Sequence, residues 1–382
     1  MFSDPPAVLQ VLPALDSGGV ERGTLEVAEA LVHAGWRALV ASAGGRLVAD
    51  LEALGARHVT LPLRAKDPLS LWRNAGRLAA LIRSERVAIV HARSRAPAWS
   101  ARLAARRTGT RWVTTWHGVY GEGFPGKRLY NSVMASGERV IAISRFVADH
   151  LVSRHGIDPA RVRIIPRGVD PRVFDPALVS PERVAALRAV WQVGAGMPVI
   201  LLPGRLSRWK GQQVLIAALR LMERRDAVAV LAGDAAGGGG HALHLARLAA
   251  ACGVADRVRF AGHVADMPAA LSAADVVVNA SIAPEAFGRV VIEAQAMARA
   301  VVATAHGGAA ETVEDGVTGL LVPPNDPAAL ARALDRVLSL GDEARAALGA
   351  RAREAVLARY TTARMTEATL AVYRELLGGS DP

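Results

Sequence analysis

Short apolar runs recur along this chain, separated by Ala-, Leu- and Arg-rich stretches whose apolar residues repeat with a helical period. In the first half the runs cover residues 7–12, 38–42, 58–63, 87–92, 112–116, 140–144 and 162–166. In the second half they cover 198–203, 227–232, 258–261, 276–281, 301–305 and 319–322. Strands apolar at nearly every position are buried on both faces, as in parallel sheets. Parallel neighbours need a crossover, and the helical stretches supply it, so right-handed strand–helix–strand units are expected. The alternation breaks across 166–183, where prolines are dense, and restarts after a charged stretch predicted to be helical, Pro181–Val190. A chain of 382 residues is long for one core. The break therefore divides an α/β chain into two doubly wound domains, 1–175 and 186–360. A last helix, expected at 361–377 within a terminal segment 361–382, follows the Tyr-Thr-Thr break.

Ligands of open parallel sheets lie beyond the carboxyl ends of the strands, so residues just after each run are the candidates for chemistry. The segment 283–320, APEAFGRVVIEAQAMARAVVATAHGGAAETVEDGVTGL, is the most specific. Glu285 stands in the loop after a strand, and Glu293 in the first turns of a helix expected to begin near Phe287. At about 1.5 Å of rise per helical residue, the two carboxylates come within reach of one extended ligand. Between them, the backbone N–H groups of Gly288, Arg289 and Val290 at a helix start make an anion site. Carboxylates for hydroxyls beside N–H donors for phosphate describe a sugar nucleotide. After the first strand of the second half comes PGRLSRWKGQ, residues 203–212. Gly204 allows a sharp turn, and Arg205 and Lys210 can then converge on phosphate oxygens.

The 283–320 segment resembles the E-x7-E region of retaining glycosyltransferases of the GT-B fold, in particular glycosyltransferase family 4. The Phe-Gly after the first Glu, the Glu-Ala after Val-Ile and the downstream GGAAETVEDGVTGLLVPPND all agree with that family. The resemblance implies two Rossmann-like domains facing across a cleft, with the last helix crossing back to the first. It implies that Glu285 holds sugar hydroxyls, Glu293 the ribose, and Arg205 with Lys210 the diphosphate. The turn SGGVERG, residues 17–23, resembles the family's Gly-Gly loop, which places Gly18 and Gly19 against the donor phosphate. His117, in Trp-His-Gly at a strand end, matches a family His near the transferred sugar, with a sugar contact favoured over general-base catalysis. Backbone groups at His263 and Val264 are expected to meet the nucleobase. Ser144, Arg145 and Arg167 match positions lining the cleft. Arg93 and Arg95, in HARSRAP at another strand end, are expected to read acceptor charge.

Composition limits the remaining choices. A single cysteine, Cys252, excludes an internal disulfide framework and a cysteine-based zinc cluster. No Asp-x-Asp stands at a strand end in metal-ligand context, so no metal is expected and cation work falls to Arg205, Lys210 and helix dipoles. GGGG at 237–240 reads as a loop tip, because no Lys-Ser/Thr follows it. No leader opens the sequence and no run is long enough to span a bilayer, so a cytoplasmic protein is expected. The formal charge of +11 has two readings: attraction to an anionic membrane or acidic acceptor, or compositional bias. Nucleic acid is disfavoured, since the arginines are dispersed and no aromatic-basic interleaving is present.

The expected activity is transfer of a hexose, with retention, from a nucleotide-diphosphate sugar to a glycolipid or glycan acceptor. No further cofactor is required. Two stretches, HARSRAPAWSAR and YNSVMASGERVIAISRF, read like envelope-assembly members and point to a lipopolysaccharide-core acceptor. Peripheral contact with the inner face of the membrane is expected with it. Two rivals stand beside this reading: a nucleotide-sugar epimerase or hydrolase, and a non-catalytic nucleotide-sugar-binding module.

Overall fold

The structure, a computed structural model, describes residues 5–16, 18–123, 125–234 and 239–378. The chain forms two compact units, Met1–Arg167 together with Thr362–Pro382, and Gly168–Thr361. The first unit thus ends at Arg167 rather than at the expected 175. The reason is local bonding: Val169 donates to the Tyr360 carbonyl (2.9 Å) and pairs with Thr361 in a parallel bridge. Arg353 then ties Asp175 down by an ion pair of 3.2 Å.

The first unit holds seven parallel strands, β1 (Ala7–Val11), β2 (Arg37–Ser42), β3 (Arg57–Thr60), β4 (Val87–Ala92), β5 (Arg111–Trp116), β6 (Arg139–Ala142) and β7 (Val162–Ile164). Their spatial order is β3-β2-β1-β4-β5-β6-β7. The central strand β1 is buried at every residue, whereas the edge strand β3 is not, which is why its run reads less apolar. The last helix, Thr362–Leu376, belongs to this unit. Its Met365, Leu370 and Leu376 join Val8, Leu31 and Ile89 in one core. Tyr373 is fully buried and bonds His91 Nδ1 at 2.6 Å, and His91 Nε2 meets the Thr115 hydroxyl at 2.7 Å. A buried polar chain of this kind is tolerated because every member has a partner.

The second unit holds six parallel strands, β8 (Val199–Pro203), β9 (Val228–Ala232), β10 (Val258–Gly262), β11 (Val276–Asn279), β12 (Ala300–Thr304) and β13 (Leu320–Val322), in the order β10-β9-β8-β11-β12-β13. Both sheets reverse direction of winding once, between β1 and β4 and between β8 and β11. Each reversal opens a crevice at the strands' carboxyl ends, and the loops after those four strands are where ligand groups belong. No helix among the described residues is long and apolar enough to cross a membrane. Of the GGGG run, Gly237 and Gly238 lie outside the described residues, while Gly239 caps the helix Gly240–Ala251.

Candidate nucleotide-sugar site

In the second unit, the predicted residues gather at the β8/β11 crevice. β11 ends at Asn279, and its side chain accepts from the Ser281 N–H (3.3 Å), turning the chain out of the sheet two residues before the predicted strand end. Glu285 follows, 8% exposed. Its Oε1 accepts from Lys210 Nζ at 2.6 Å and from the Ser281 hydroxyl in a short bond. Its Oε2 makes no hydrogen bond among the described residues, so one oxygen is held and the other is available. The loop is pinned from behind. Gly308 N–H donates to the Glu285 carbonyl (2.7 Å), and His306 Nε2 lies 2.7 Å from the Ser281 carbonyl.

Lys210 reaches this carboxylate because of two glycines. Its stem passes beside Gly204, where a Cβ would sit 3.5 Å from Lys210 Cε. At Gly211 a Cβ would lie 1.8 Å from the Ala280 carbonyl oxygen, at a φ of +74°. Only glycine fits there. The Lys210 ammonium also stands 4.5 Å from the centre of the Trp209 indole, a cation–π contact. Arg205 is exposed at the same loop, and its carbonyl accepts from Gln212 Nε2 (3.0 Å).

The helix after Glu285 is Arg289–Ala296, two residues later than expected, because Gly288 at a φ of +81° is its N-cap. A Cβ on Gly288 would come within 2.8 Å of the Ala309 Cβ. The first closing bond runs from Val291 N–H to the Gly288 carbonyl (3.0 Å), so the N–H groups of Gly288, Arg289 and Val290 precede it. Glu293, 8% exposed, lies one turn on, with Arg289 Nε 3.6 Å from its Oε1. The two glutamates and the N–H groups thus belong to one loop and one helix start. His263 and Val264 follow β10, the edge strand; His263 is mostly exposed, 3.7 Å from Asp234.

The first unit treats its candidates differently. Gly18 caps the helix Gly19–His33 at a φ of +137°, and both glycines are exposed. The anion place over this helix start is approached by Glu21 of its own first turn, whose Oε2 lies 2.7 Å from where a Gly18 Cβ would stand. Burial raises the Glu21 pKa, against the backbone bond that lowers it. Arg93, expected to read acceptor charge, is only 2% exposed and donates to Gln10 Oε1 (3.0 Å). Arg95 donates to Asn131 (2.8 Å) and stacks on Tyr120 at 4.1 Å. Ser144 is fully buried and its hydroxyl accepts from Val147 N–H (3.1 Å), capping the helix Arg145–His155. The Ser144 hydroxyl thus positions that helix, and Arg145 is exposed.

Arg167 and His117 meet directly, Nη2 to Nδ1 at 2.5 Å. An arginine always donates, so Nδ1 accepts and the proton of the neutral ring sits on Nε2. Burial first, then the charges of Arg167 and Arg93, hold the His117 pKa well below the usual histidine range. Its Nε2–H is buried without a partner among the described residues. A ring already donor-bonded at one nitrogen and protonated at the other can donate to a hydroxyl oxygen but is poorly placed to take a proton. The geometry favours the contact role.

Some members escaped the sequence reading. Gln10 interrupts an otherwise apolar strand, and a polar residue inside β1 was a legible signal. Gly23 leaves room for both guanidinium groups, since a Cβ there would fall 2.4 Å from Arg167 Nη1 and 3.0 Å from Arg93 Nη2. Ser281 and His306 become neighbours because β11 pairs with β12, which periodicity does not reveal.

Residues 185–355 match the model of glycosyl transferases group 1, and residues 17–173 that of glycosyltransferase family 4. A solved glycosyltransferase structure from Rickettsia africae ESF-5 is 38% identical, with a TM-score of 0.91, covering 98% of this chain and 100% of that one. The chain belongs to the family 4 glycosyltransferases of the GT-B fold. Anabaena Alr3699/HepE, solved with UDP and glucose, is 26% identical at a TM-score of 0.83, with 96% of this chain and 98% of that chain covered. The D-inositol 3-phosphate glycosyltransferase of Salinispora arenicola (strain CNS-205) is 37% identical over 264 residues, 65% of this chain and 57% of that protein. The chain spans little more than half the length of the curated relatives it matches.

Proposed function

We propose that this family 4 member transfers a hexose from a nucleotide-diphosphate sugar to an acceptor hydroxyl, with retention and without a metal. The observation that carries the reading is the Lys210–Glu285 pair beside Arg205 and the Gly288 helix start. A leaving diphosphate gains negative charge as the glycosidic bond breaks. Cations already in place stabilise that change without reorganising. In the bound state Lys210 exchanges its carboxylate partner for phosphate, and Glu285 turns to the sugar hydroxyls. Glu293 accepts from the ribose, and His117 Nε2–H donates to the sugar. No carboxylate base is assigned, so the leaving phosphate takes the acceptor proton in a front-face displacement, with positioning supplied by the protein. The complex of Anabaena Alr3699/HepE with UDP and glucose supports a donor of this class.

The acceptor is an anionic molecule. A lipopolysaccharide-core glycolipid is the version drawn from the sequence resemblance, and places the enzyme in the cytoplasm against the inner face of the membrane. A phosphorylated polyol is the version favoured by the name of the curated relatives. The deciding experiment incubates the protein with nucleotide sugars and either acceptor, measuring nucleoside diphosphate release and the product's anomeric configuration by proton NMR. An alpha product from an alpha donor is expected. A beta product would overturn the front-face mechanism and return His117 to consideration as a base. Release without any acceptor would favour a hydrolase, interconversion of the donor sugar an epimerase, and binding without turnover a non-catalytic module.

A further inference from the structure

The helices Pro68–Ser84 and Arg95–Thr108 pack side by side in the first unit. Between them runs an apolar groove formed by Leu71, Trp72, Trp99 and Leu103, with Arg102 and Arg106 along it. Trp99 is fixed by its indole N–H, which donates to the Tyr130 carbonyl at 3.2 Å. Trp72 is not buried: it is 60% exposed, and its neighbour Leu69 is 55% exposed. The Arg107 guanidinium lies 5.9 Å from the Trp72 ring centre.

Charge on this face has one sign. The first helix carries Arg73, Arg77 and Arg83, the second Arg95, Arg102, Arg106 and Arg107, and neither contains an acidic residue. The carboxylates that flank the first helix are already engaged. Asp67 caps the first helix through Ser70 N–H, and Glu85 beyond its end pairs with Arg37 and Arg57. Burial, and then the charge of Arg106, lowers the Arg102 pKa, as expected for cations crowded beside an apolar surface.

Exposed Trp and Leu beside cations of a single sign match the boundary of a bilayer, where aromatic rings sit at headgroup depth and arginines meet phosphate. We infer that this two-helix face docks on an anionic lipid bilayer, with Trp72 and Leu69 entering the interface and Arg102, Arg106 and Arg107 contacting lipid phosphates. The assignment rests on the reading that the acceptor is met at a membrane, and not on the transfer chemistry.

The test is co-sedimentation of the full chain with phosphatidylcholine vesicles with or without about 30% phosphatidylglycerol. Binding should require the anionic lipid. Replacing Arg102, Arg106 and Arg107 together by Gln should weaken it about tenfold or more, and Trp72→Ala by about threefold to tenfold. A control replacing Arg220, Arg247 and Arg332 by Gln removes the same charge from the second unit and should change binding far less. Equal loss in the control, or equal binding to neutral vesicles, would overturn the assignment. Tryptophan emission should shift to the blue on anionic vesicles in the unaltered chain and less so in Trp72→Phe. A shift with polyglutamate but none with vesicles would make the face a protein-docking surface and sink the proposal. Nucleoside diphosphate release with a water-soluble acceptor, measured on the same variants, should be unchanged, so failure here and failure of the transferase reading are separable.

Discussion

The two units handle buried charge in opposite ways. At the β8/β11 crevice, cation and carboxylate are already joined, Lys210 to Glu285 at 2.6 Å, and both keep some contact with solvent. At the carboxyl ends of the first sheet, Arg93 and Arg167 are almost wholly buried, one bonded to a glutamine and the other to an imidazole, and both feel the charge of Glu21. Lys210 keeps the larger contact with solvent, so an incoming anion can replace the carboxylate as its partner without leaving the cation uncompensated. A buried guanidinium bonded into the fold is fixed, since moving it would strand a charge in low dielectric. The second unit therefore carries groups suited to changing state during a reaction, and the first carries groups suited to holding shape.

The sharpest way to break this contrast is at the exchangeable pair. Lys210→Ala and Arg205→Ala should each lower turnover by roughly 10²–10³, the usual cost of losing a preformed charge stabiliser. Thermal unfolding should move little in Arg205→Ala and fall in Lys210→Ala, which leaves the buried Glu285 carboxylate without its cation; full activity in either variant would remove that residue from the diphosphate site. Next in size is the division of labour between the glutamates. Glu285→Ala should depress turnover, whereas Glu293→Gln should mainly raise the Michaelis constant for the donor. Loss of a hydrogen bond to a charged group costs about 1.5–3 kcal/mol. Steady-state kinetics showing the reverse order would exchange the two roles.

The first unit is tested by pH. His91 and His117 both have pKa values well below the ordinary range, each chiefly through burial. The unfolded chain then binds more protons, so their stabilising contribution is complete above about 6.5 and is lost as pH falls toward the folded values. Each imidazole should add a slope of up to about 1.4 kcal/mol per pH unit in that window. Melting temperature should be flatter between pH 6.5 and 5 in His91→Gln than in the unaltered chain (a span of about 1.5 units below the free imidazole value). An identical slope would mean that His91 is not held neutral. The smallest effect expected is none at all: turnover should survive EDTA. Loss of activity, restored by manganese or magnesium, would contradict the assignment of the diphosphate charge to Arg205 and Lys210.

Much of the second site was legible because its parts are local. Glu285, Gly288 and Glu293 share one loop and helix start, and Arg205 and Lys210 share another, so spacing along the chain stands in for distance in space. Gly204 and Gly211 announced the tight turns that bring Lys210 round. The two doubly wound sheets were equally readable, since strands buried on both faces leave unbroken apolar runs. Helix starts slipped by a residue or two where a glycine cap, as at Gly288, delays the first turn.

Sequence alone determined which residues could carry charge to a ligand and on which loops they would stand. Tertiary structure decided which of those charges would remain available. Arg93 and Ser144 stand at strand ends like Arg205, and nothing in their immediate neighbours distinguishes them. Their fate depended on partners far along the chain or on helix geometry: Gln10 takes the Arg93 guanidinium, and Val147 N–H takes the Ser144 hydroxyl. Arg167 and His117, fifty positions apart, became a pair because β5, β6 and β7 are neighbours in the sheet. Burial is a property of the packed sheet and the helices upon it, and burial sets whether a polar side chain reaches for a ligand or is held within the fold.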